Sequence, residues 1–192
     1  MACKYISKPH LINGFKYDLR VYVLVSSFDP LRVYVFEEGL VRFATEKYST
    51  NSKTLRKRFV HLTNYSVNKK AAGYTALNDK KDEELCAKWD LRTLRKKFTE
   101  LGLDYDKVFK RVHDVIIKGL ISIEPHIVNN MNRLTKHKNV CFEVYGFDVL
   151  LDQDLKAWLL EVNVCPSLSS SSPMDKRIKT SMLTDAFNLI GI

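Results

Sequence analysis

Two acidic residues and an amide stand inside apolar segments near the carboxyl end of the chain. Asp148 lies in the segment GFDVLL (146–151), and Glu161 and Asn163 lie in WLLEVN (158–163). Acidic residues are uncommon in strands and costly to bury alone. Carboxylate and amide oxygens at this spacing suit Mg²⁺, which proteins usually share with nucleotide phosphates. The pattern therefore predicts a magnesium site. The alternative is a hairpin face that is simply exposed to solvent.

The magnesium hypothesis depends on the register of this predicted hairpin. A connecting loop of two or four residues places Asp148 opposite Leu159, with Glu161 as its diagonal neighbour. Side chains alternate along a strand, so Asp148 and Glu161 then share one face with Asn163. A loop of three or five residues would reverse this parity.

Charged side chains also line a predicted strand near the amino terminus. Lys16, Asp18 and Arg20 are spaced at i, i+2 and i+4, so they share one face of a strand. Two cations flanking an acid can bind a phosphate and a ribose hydroxyl, although a surface ion-pair ladder would have the same pattern. Arg42 is a lone cation between apolar neighbours, and its simplest interpretation is an edge-strand charge that opposes aggregation.

The positive charge is confined to the first half of the chain. The formal net charge is +9, from 31 Lys+Arg and 22 Asp+Glu. Residues 1–100 hold 20 basic and 11 acidic residues, whereas residues 101–192 hold 11 of each. Such a distribution attracts polyanions through its long-range field. Nucleic acid, nucleotide phosphates, anionic lipid and acidic polypeptides are the candidate ligands.

Length and composition restrict the class of protein. With 192 residues, 45% of them hydrophobic, and only 7 Gly and 5 Pro, the chain forms one domain or most of one. The sequence contains no apolar run of membrane-spanning length and no apolar stretch typical of a secretory signal, which predicts no membrane partner. The four cysteines form no CxxC pair and are predicted to be reduced thiols in a cytosolic protein.

The predicted secondary structure places the charged residues on an antiparallel sheet. Strands are predicted at 19–25, 31–36 and 40–44, as a meander with turns at 26–30 and 37–39. The remaining predicted elements are helices at 82–100 and 105–134, strands at 140–151 and 156–162, and a helix at 175–192. Pro125 is expected to kink or interrupt the long helix.

The order of strands, helices and a final hairpin favours an α+β fold over alternating βαβ units. The chain has no GxGxxG after a strand and no GxxxxGK[ST], so neither a Rossmann nor a P-loop nucleotide site is supported. Gly146-Phe147-Asp148 is the kinase Asp-Phe-Gly in reverse, and no His-Arg-Asp loop accompanies it.

Five motifs stand in a fixed order along nearly the whole chain. They are KYDLR (16–20), GLVRFA (39–44), HLTNYSVNKK (61–70), GFD (146–148) and LEVNVCPSL (160–168). Together they closely resemble the tubulin tyrosine ligase-like family, and within it the tubulin polyglutamylases. The HLTNYS block and the final ExNxxPSL block are the most specific parts of this resemblance.

The resemblance implies an ATP-grasp-like fold, in which ATP lies between two α+β lobes, and an ATP-dependent amino-acid ligase. In that family ATP phosphorylates a glutamate side chain in an acidic protein tail. The amine of free glutamate then attacks the acyl phosphate and forms an isopeptide bond. Such intermediates concentrate negative charge, which explains a need for Mg²⁺ and for guanidinium groups placed in advance.

The resemblance also assigns roles to individual residues. It implies that Mg²⁺ is held by Asp148, Glu161 and Asn163. The implied ATP-binding residues are Lys4, Tyr5 and Ile6 at the adenine hinge, Lys16 and Asp18, the latter near the ribose, and His61, Thr63 and Asn64 beside the triphosphate. Arg20 and Arg42 match arginines near the terminal phosphate and the acyl-phosphate intermediate, and are the candidate catalytic residues.

The implied partners are the acidic tails of tubulin or microtubules, other acidic proteins, and free glutamate as the second substrate. A basic first half agrees with an acidic partner. The resemblance further implies a location on the cytoskeleton, cilium or basal body. We expect a monomer in the cytoplasm, without nucleic acid or membrane as a partner.

Residues 1–192 are expected to be the carboxy-terminal portion of the ligase domain, lacking the family's amino-terminal lobe. We therefore expect the chain alone to have weak activity or none. The alternative is a truncated, non-catalytic product that binds acidic tails or nucleotide. A nucleic-acid-binding domain is a further alternative, but the sequence carries no RRM or OB signature. Cys165 departs from the family, which usually has serine there.

Overall fold

The computed structural model describes residues 4–70, 88–136 and 141–191. Its strands are β1 (Leu11–Ile12), β2 (Phe15–Phe28), β3 (Leu31–Phe43), β4 (Lys88–Asp90), β5 (Glu143–Leu151) and β6 (Ala157–Val164). Its α-helices are α1 (Arg58–His61), α2 (Tyr65–Asn68), α3 (Leu91–Glu100), α4 (Tyr105–Leu134) and α5 (Pro173–Ile190), with a short 3₁₀ turn at Ser52–Thr54.

The strands form one antiparallel sheet in the order β4-β3-β2-β5-β6, and β1 pairs with β2. The predicted α+β class with an antiparallel sheet and helices is confirmed. Strand β2 lies at the centre, and β5 lies beside it although α3 and α4 intervene in the sequence. This crossover joins the motifs of the first half to the acidic hairpin of the second half.

Strand β2 separates apolar and charged side chains onto the two faces of the sheet. Leu19, Val21 and Val23 are fully buried in the main hydrophobic core, which also contains residues of α3 and α4. The alternate residues Asp18 and Arg20 point to the opposite face, because successive side chains of a strand alternate. The even spacing of charges noted in the sequence is therefore a property of a strand that is buried on both faces.

Helix α4 packs against the apolar face and has the predicted bounds, Tyr105–Leu134. Asp104 caps it, because its side chain accepts a hydrogen bond from the Lys107 backbone N–H. The predicted interruption at Pro125 is wrong, since the helix continues through this residue. Pro125 is exposed and follows the last buried position, Leu120, so the backbone hydrogen bond that proline removes is lost outside the core.

The predicted three-stranded meander is also wrong. Strand β3 continues through residues 37–39, where the sequence predicted a turn. An irregularity replaces the turn: Val21 pairs with Gly39, whereas Val23 pairs with Val35, so β3 carries extra residues between these pairs. The first hairpin turn is likewise shorter than predicted, because β2 reaches Phe28.

Other predictions are confirmed only in part. The helix predicted at 82–100 begins at Leu91, after β4, and residues 82–87 lie outside the described residues, as does residue 140 of the predicted hairpin. Cys141 and Cys165 are free thiols, while Cys3 and Cys86 lie outside the described part of the chain. No helix within the described ranges is long and apolar enough to span a membrane.

Candidate functional site

Charged side chains of four neighbouring strands meet on one face of the sheet. Asp18 of β2 pairs across from Arg42 of β3, and Arg20 of β2 pairs across from Asp148 of β5. Asp148 in turn pairs across from Glu161 of β6. Directly paired residues present their side chains on the same face, so the register itself brings these residues together.

Arg42 is a buried cation held by two carboxylates. Its Nε donates to Asp18 Oδ1 at 2.9 Å, and its terminal nitrogen contacts Asp18 Oδ2 and lies 2.8 Å from Asp148 Oδ2. Burial alone would lower the pKa of Arg42, but the charges and hydrogen bonds of Asp18 and Asp148 raise it. The guanidinium therefore carries a permanent charge in a fixed position.

Asp148 is a buried carboxylate shared by two arginines. Arg20 donates to both of its oxygens, through Nε to Oδ1 and through a terminal nitrogen to Oδ2 at 3.1 Å. Burial alone would raise the pKa of Asp148, but the hydrogen bonds from Arg20 and the charge of Arg42 lower it below its usual range. Gly146 makes room for this pair, because an added Cβ would lie 3.1 Å from Arg20 Cδ.

Glu161 and Asn163 complete the acidic part of the site. A hydrogen bond with Asp148 raises the pKa of Glu161 above its ordinary value. Asn163 Nδ2 donates to Glu161 Oε1 at 3.2 Å and to the Gly146 carbonyl at 3.3 Å. The structure thus brings the three residues of the predicted magnesium site together. Residues 4–70, 88–136 and 141–191 contain no cluster of three His, Cys, Asp or Glu, so the amide would have to serve as the third ligand.

The register that joins these residues differs from the predicted one. Asp148 pairs with Glu161 and not with Leu159, so the predicted pairing is wrong. The connection 152–156 contains five residues, which by itself would place Asp148 and Glu161 on opposite faces. A β-bulge at Leu160 adds one residue to β6 and restores the shared face.

A second group of predicted ATP-binding residues surrounds Tyr5. The Tyr5 hydroxyl is hydrogen-bonded to His61 Nδ1 at 2.8 Å, and Lys16 Nζ lies 4.8 Å from the centroid of the Tyr5 ring. Burial lowers the pKa of Lys16, against the opposing influence of Asp18. Lys4, Tyr5 and Ile6 themselves have no regular secondary structure. Residues from three separate segments therefore meet at this point.

Two cavities adjoin along β6. One has a volume of about 410 Å³ and is lined by Lys4, Tyr5 and Ile6 and by the β5–β6 connection up to Leu160. The other has a volume of about 300 Å³, and its lining includes Arg20, Arg42, Asn64, Glu161 and Asn163. Leu160 of the first lining and Glu161 of the second are consecutive residues of β6.

His61 and Thr63 are less directly placed than the resemblance implied. Thr63 is buried and lines neither of these two cavities. His61 is also buried, with its Nε2 hydrogen-bonded to the Thr54 carbonyl at 3.0 Å, and it reaches the site through Tyr5. Of this predicted group only Asn64 lines the charged cavity.

Three charged residues of the cavity lining were missed by the sequence analysis: Lys88, Asp175 and Lys179. Asp175 and Lys179 are one turn apart in α5 and form an ion pair of 3.0 Å. Both lie beside the apolar stripe that contains Ile178 and Met182. Charged residues at i and i+4 next to an apolar stripe are a signal that could have identified them.

Comparison with known proteins identifies the family of the chain. The sequence profile described as "Tubulin-tyrosine ligase family" matches residues 1–192. The chain is 46% identical over 191 residues to tubulin polyglutamylase TTLL5 of Mus musculus, covering 100% of the chain and 14% of that protein. It is 47% identical over 190 residues to tubulin monoglutamylase TTLL4 of Homo sapiens, covering 98% of the chain and 16% of that protein.

A third relative, tubulin polyglutamylase TTLL6 of Mus musculus, is 47% identical over 197 residues, covering 100% of the chain and 23% of that protein. The chain therefore spans less than a quarter of the length of each of these three relatives. The family predicted from the five ordered motifs is confirmed, because its profile matches from the first residue to the last. The chain belongs to the tubulin-tyrosine ligase family.

Proposed function

We propose that the protein is an ATP-dependent ligase that joins glutamate to glutamate side chains in the acidic tails of tubulin. The observation that carries the proposal is the row of charges across the sheet. Arg20 and Arg42 are fixed on Asp148, and Asp148 faces Glu161 beside a cavity. The names of the relatives, which are tubulin glutamylases, support the choice of glutamate and of tubulin.

The donor set fits Mg²⁺. Asp148 is ionised, and its partner Glu161 has a raised pKa because the two carboxyl groups face each other. A divalent cation between them would remove this repulsion and displace the proton. Three guanidinium nitrogens already contact the oxygens of Asp148, so Asp148 would share the metal ion with Glu161 and Asn163 and could not hold it alone. When bound, Mg²⁺ would neutralise phosphate oxygens and act as a Lewis acid.

We assign the two cavities along β6 to the two ends of a nucleotide. Trp158, Leu159 and Leu160 give the cavity beside Tyr5 an apolar wall, which suits a purine base. Lys16 and Asp18 lie on the same face of β2 as the charged row, but neither lines these two cavities, and both Asp18 oxygens accept from Arg42. A nucleotide in this orientation would direct its terminal phosphate toward Arg20 and Arg42.

In the proposed reaction the protein supplies fixed positive charge. Transfer of a phosphoryl group to the acceptor carboxylate would release ADP, and attack by the amine of glutamate would form the amide bond and release phosphate. Arg42 is held by Asp18 and Asp148 and requires no reorganisation as negative charge develops. Arg20 is similarly held by Asp148 and lies at the wall of the cavity.

A tubulin substrate would place the protein on the cytoskeleton. The excess of basic residues in the first half of the chain would attract an acidic tail by long-range electrostatics. Action as a monomer, and presence in the cilium or basal body, stay predictions from the family resemblance.

The test is glutamate incorporation into tubulin with labelled glutamate and MgATP. We expect Glu161→Gln to lower the rate by about 10²–10³-fold, which is typical for loss of one group that stabilises transition-state charge. Asp114→Asn is the matched control, because Asp114 is an exposed acid on α4. An equal effect of both substitutions, or incorporation of another amino acid in preference to glutamate, would contradict the proposal.

Calorimetry of the 192-residue chain separates binding from ligation. Magnesium-dependent ATP binding that Glu161→Gln abolishes would support the nucleotide site. ATP binding that does not depend on Mg²⁺ or on Glu161 would contradict the assigned ligands.

A further inference from the structure

A third cavity lies between α5 and the paired strands β2 and β3. Its volume is about 340 Å³, which is within the range of small-molecule sites. Among the residues that the structure describes, it shares no lining residue with the two cavities along β6. We call it the α5 cavity. Its apolar wall includes Leu24, Val35, Phe36, Ile178, Met182 and Ala186.

A buried carboxylate also lines the α5 cavity. The side chain of Glu38 is 8% exposed, and its Oε2 is buried without a hydrogen-bond partner among the described residues. Its Oε1 forms an ion pair with Nε of Arg92. Burial raises the pKa of Glu38, against the opposing charges of Arg92 and Arg177. A buried acceptor without a partner costs stability, so a hydrogen-bond donor placed in the cavity would be bound favourably.

The irregularity of β3 explains why a carboxylate occupies this position. The three residues Phe36–Glu38 lie opposite the single residue Tyr22 of β2. Regular alternation of side chains is lost at such a point, and Glu38 and the next residue, Gly39, are both buried. Irregularities of this kind redirect a side chain and are common beside functional sites. The carboxylate is therefore directed to the cavity by the register of the strands.

The lining of the α5 cavity carries an excess of negative charge. Each of its two arginines is already paired with an acid: Arg92 with Glu38, and Arg177 with Asp90 at 2.9 Å. Two further acids of the lining are exposed and form no ion pair with another described residue: Glu37 and Asp185. The cavity should therefore attract a cation and repel an anion.

Arg92 is an internal competitor that a ligand can displace. Its side chain is 68% exposed, so it belongs to the solvent side of the ion pair with Glu38. Displaced from Glu38, its guanidinium would remain in water, and no buried charge would be left unpaired if a ligand cation took its place. Exchange of Arg92 for a ligand cation is therefore inexpensive.

We propose that the α5 cavity binds an organic cation, a primary ammonium or guanidinium group joined to a small apolar body. The cation pairs with Glu38, and the apolar body lies against Ile178 and Met182 of α5. This site is separate from the site of the proposed function. Asp175 and Lys179 of the same helix line the charged cavity, so α5 forms a wall of two ligand sites.

The test is titration of the isotope-labelled 192-residue chain with phenethylamine and with phenethyl alcohol, followed through backbone amide chemical shifts. The two probes have the same apolar body and nearly the same size, and they differ in charge. We expect the amine to bind about 10-fold more tightly than the alcohol, because a charge-assisted hydrogen bond is stronger than a neutral one. The shifts should be confined to residues that line the α5 cavity.

Two substitutions in one ion pair should have opposite effects. Glu38→Gln should remove most of the preference for the amine and leave binding of the alcohol unchanged, whereas Arg92→Met should increase the preference several-fold because it removes the competitor. Glu100→Gln and Lys96→Met are the matched controls, since both residues are exposed on α3 and lie outside the lining. A purely structural role of the ion pair would give effects of the same sign.

No binding of the amine, equal binding of both probes, or shifts outside the lining would overturn the inference. A preference that survives Glu38→Gln, or one that Arg92→Met abolishes, would also overturn it. Circular dichroism establishes that each variant is folded, and the exposed position of Arg92 keeps Arg92→Met measurable if Glu38→Gln is not.

A titration in the presence of MgATP checks that the two sites are separate. Binding of the amine should be unchanged, because the α5 cavity has its own lining. Displacement of the amine by MgATP would overturn the assignment to a separate site. Failure of MgATP itself to bind would reject the nucleotide site of the proposed function and leave the amine titration valid.

Discussion

The two faces of the central strands β2 and β5 are buried to a similar degree and stabilised in different ways. On the face covered by α3 and α4, Leu19, Val21 and Phe147 are fully buried among other apolar side chains. On the opposite face Asp18 and Asp148 are also nearly inaccessible, but they are surrounded by guanidinium groups. The chemical type of the neighbours, and not the extent of burial, therefore distinguishes the candidate site from the core.

This difference has an energetic consequence. On the apolar face, substitutions of residues that do not touch one another should have nearly additive effects on the free energy of unfolding. The charged face is stable only as a set, because removal of one ion leaves its buried partners without compensation. Four substitutions test this contrast, in order of decreasing expected effect on stability.

Arg42→Met should have the largest effect. It leaves Asp18 and Asp148 without their shared cation, and we expect a loss of about 4 kcal/mol in the free energy of unfolding, measured with urea. Arg32→Met is the control, because Arg32 is an exposed residue of the same strand. A loss of less than about 1 kcal/mol for Arg42→Met would mean that the carboxylates do not depend on this cation.

Leu19→Ala should have the next largest effect. The side chain is fully buried in the core, so we expect a loss of about 3 kcal/mol in the free energy of unfolding. Under conditions where the variant is still folded, MgATP binding should equal that of the wild type. Reduced binding by the folded variant would show that the two faces are more strongly coupled than we propose.

Gly146→Ala should have a smaller effect on stability and a larger one on the site. The added Cβ would lie 3.0 Å from Pro166 Cβ and 3.1 Å from Arg20 Cδ, which we expect to cost about 1–2 kcal/mol. Displacement of Arg20 from Asp148 should weaken MgATP binding in calorimetry. Gly119→Ala is the control, since its Cβ would make ordinary contacts of 3.5 Å with Leu159 and Phe147.

Glu161→Gln should have the smallest effect on the free energy of unfolding. Whether the substitution destabilises the protein should depend on pH. The hydrogen bond with Asp148 raises the pKa of Glu161 in the folded protein, so the folded state holds this proton more tightly than the unfolded state. In the absence of Mg²⁺, this tighter proton binding stabilises the folded state fully below the ordinary pKa of Glu161. The stabilisation is lost as the pH rises through the raised pKa of the folded state. We expect the melting temperature of the wild type to lose this contribution as the pH rises from about 4 to 7. The Glu161→Gln variant should not show this loss. At neutral pH a lower melting temperature for the variant than for the wild type would contradict this account.

The features that the sequence predicted correctly depend on local periodicity. The bounds of α4 follow from apolar residues at helical spacing, and the charged face follows from the alternation of Lys16, Asp18 and Arg20. The family follows from motifs that are short and ordered. The nearness of Asp148, Glu161 and Asn163 was also predicted, although through a different register.

The features that the sequence did not reveal depend on contacts between distant segments. The continuity of β3 past Gly39 reflects a close approach to β2, where an added Cβ would lie 2.5 Å from the Arg20 carbonyl oxygen. The ion pair between Lys88 and Asp175 joins an edge strand to α5, and no local pattern around Lys88 indicates that contact. Local periodicity describes one element at a time, so it misses residues that become functional only when elements pack together.

The bulge at Leu160 decides which face of β6 carries the site. The pairs Leu151–Ala157 and Val149–Leu159 continue in one register, and the extra residue after Leu159 brings Glu161 opposite Asp148. A regular strand of the same length would place Leu160 opposite Asp148 and turn Glu161 and Asn163 to the other face. Among related ligases that keep the three residues, the connection should therefore vary in length while the bulge is retained.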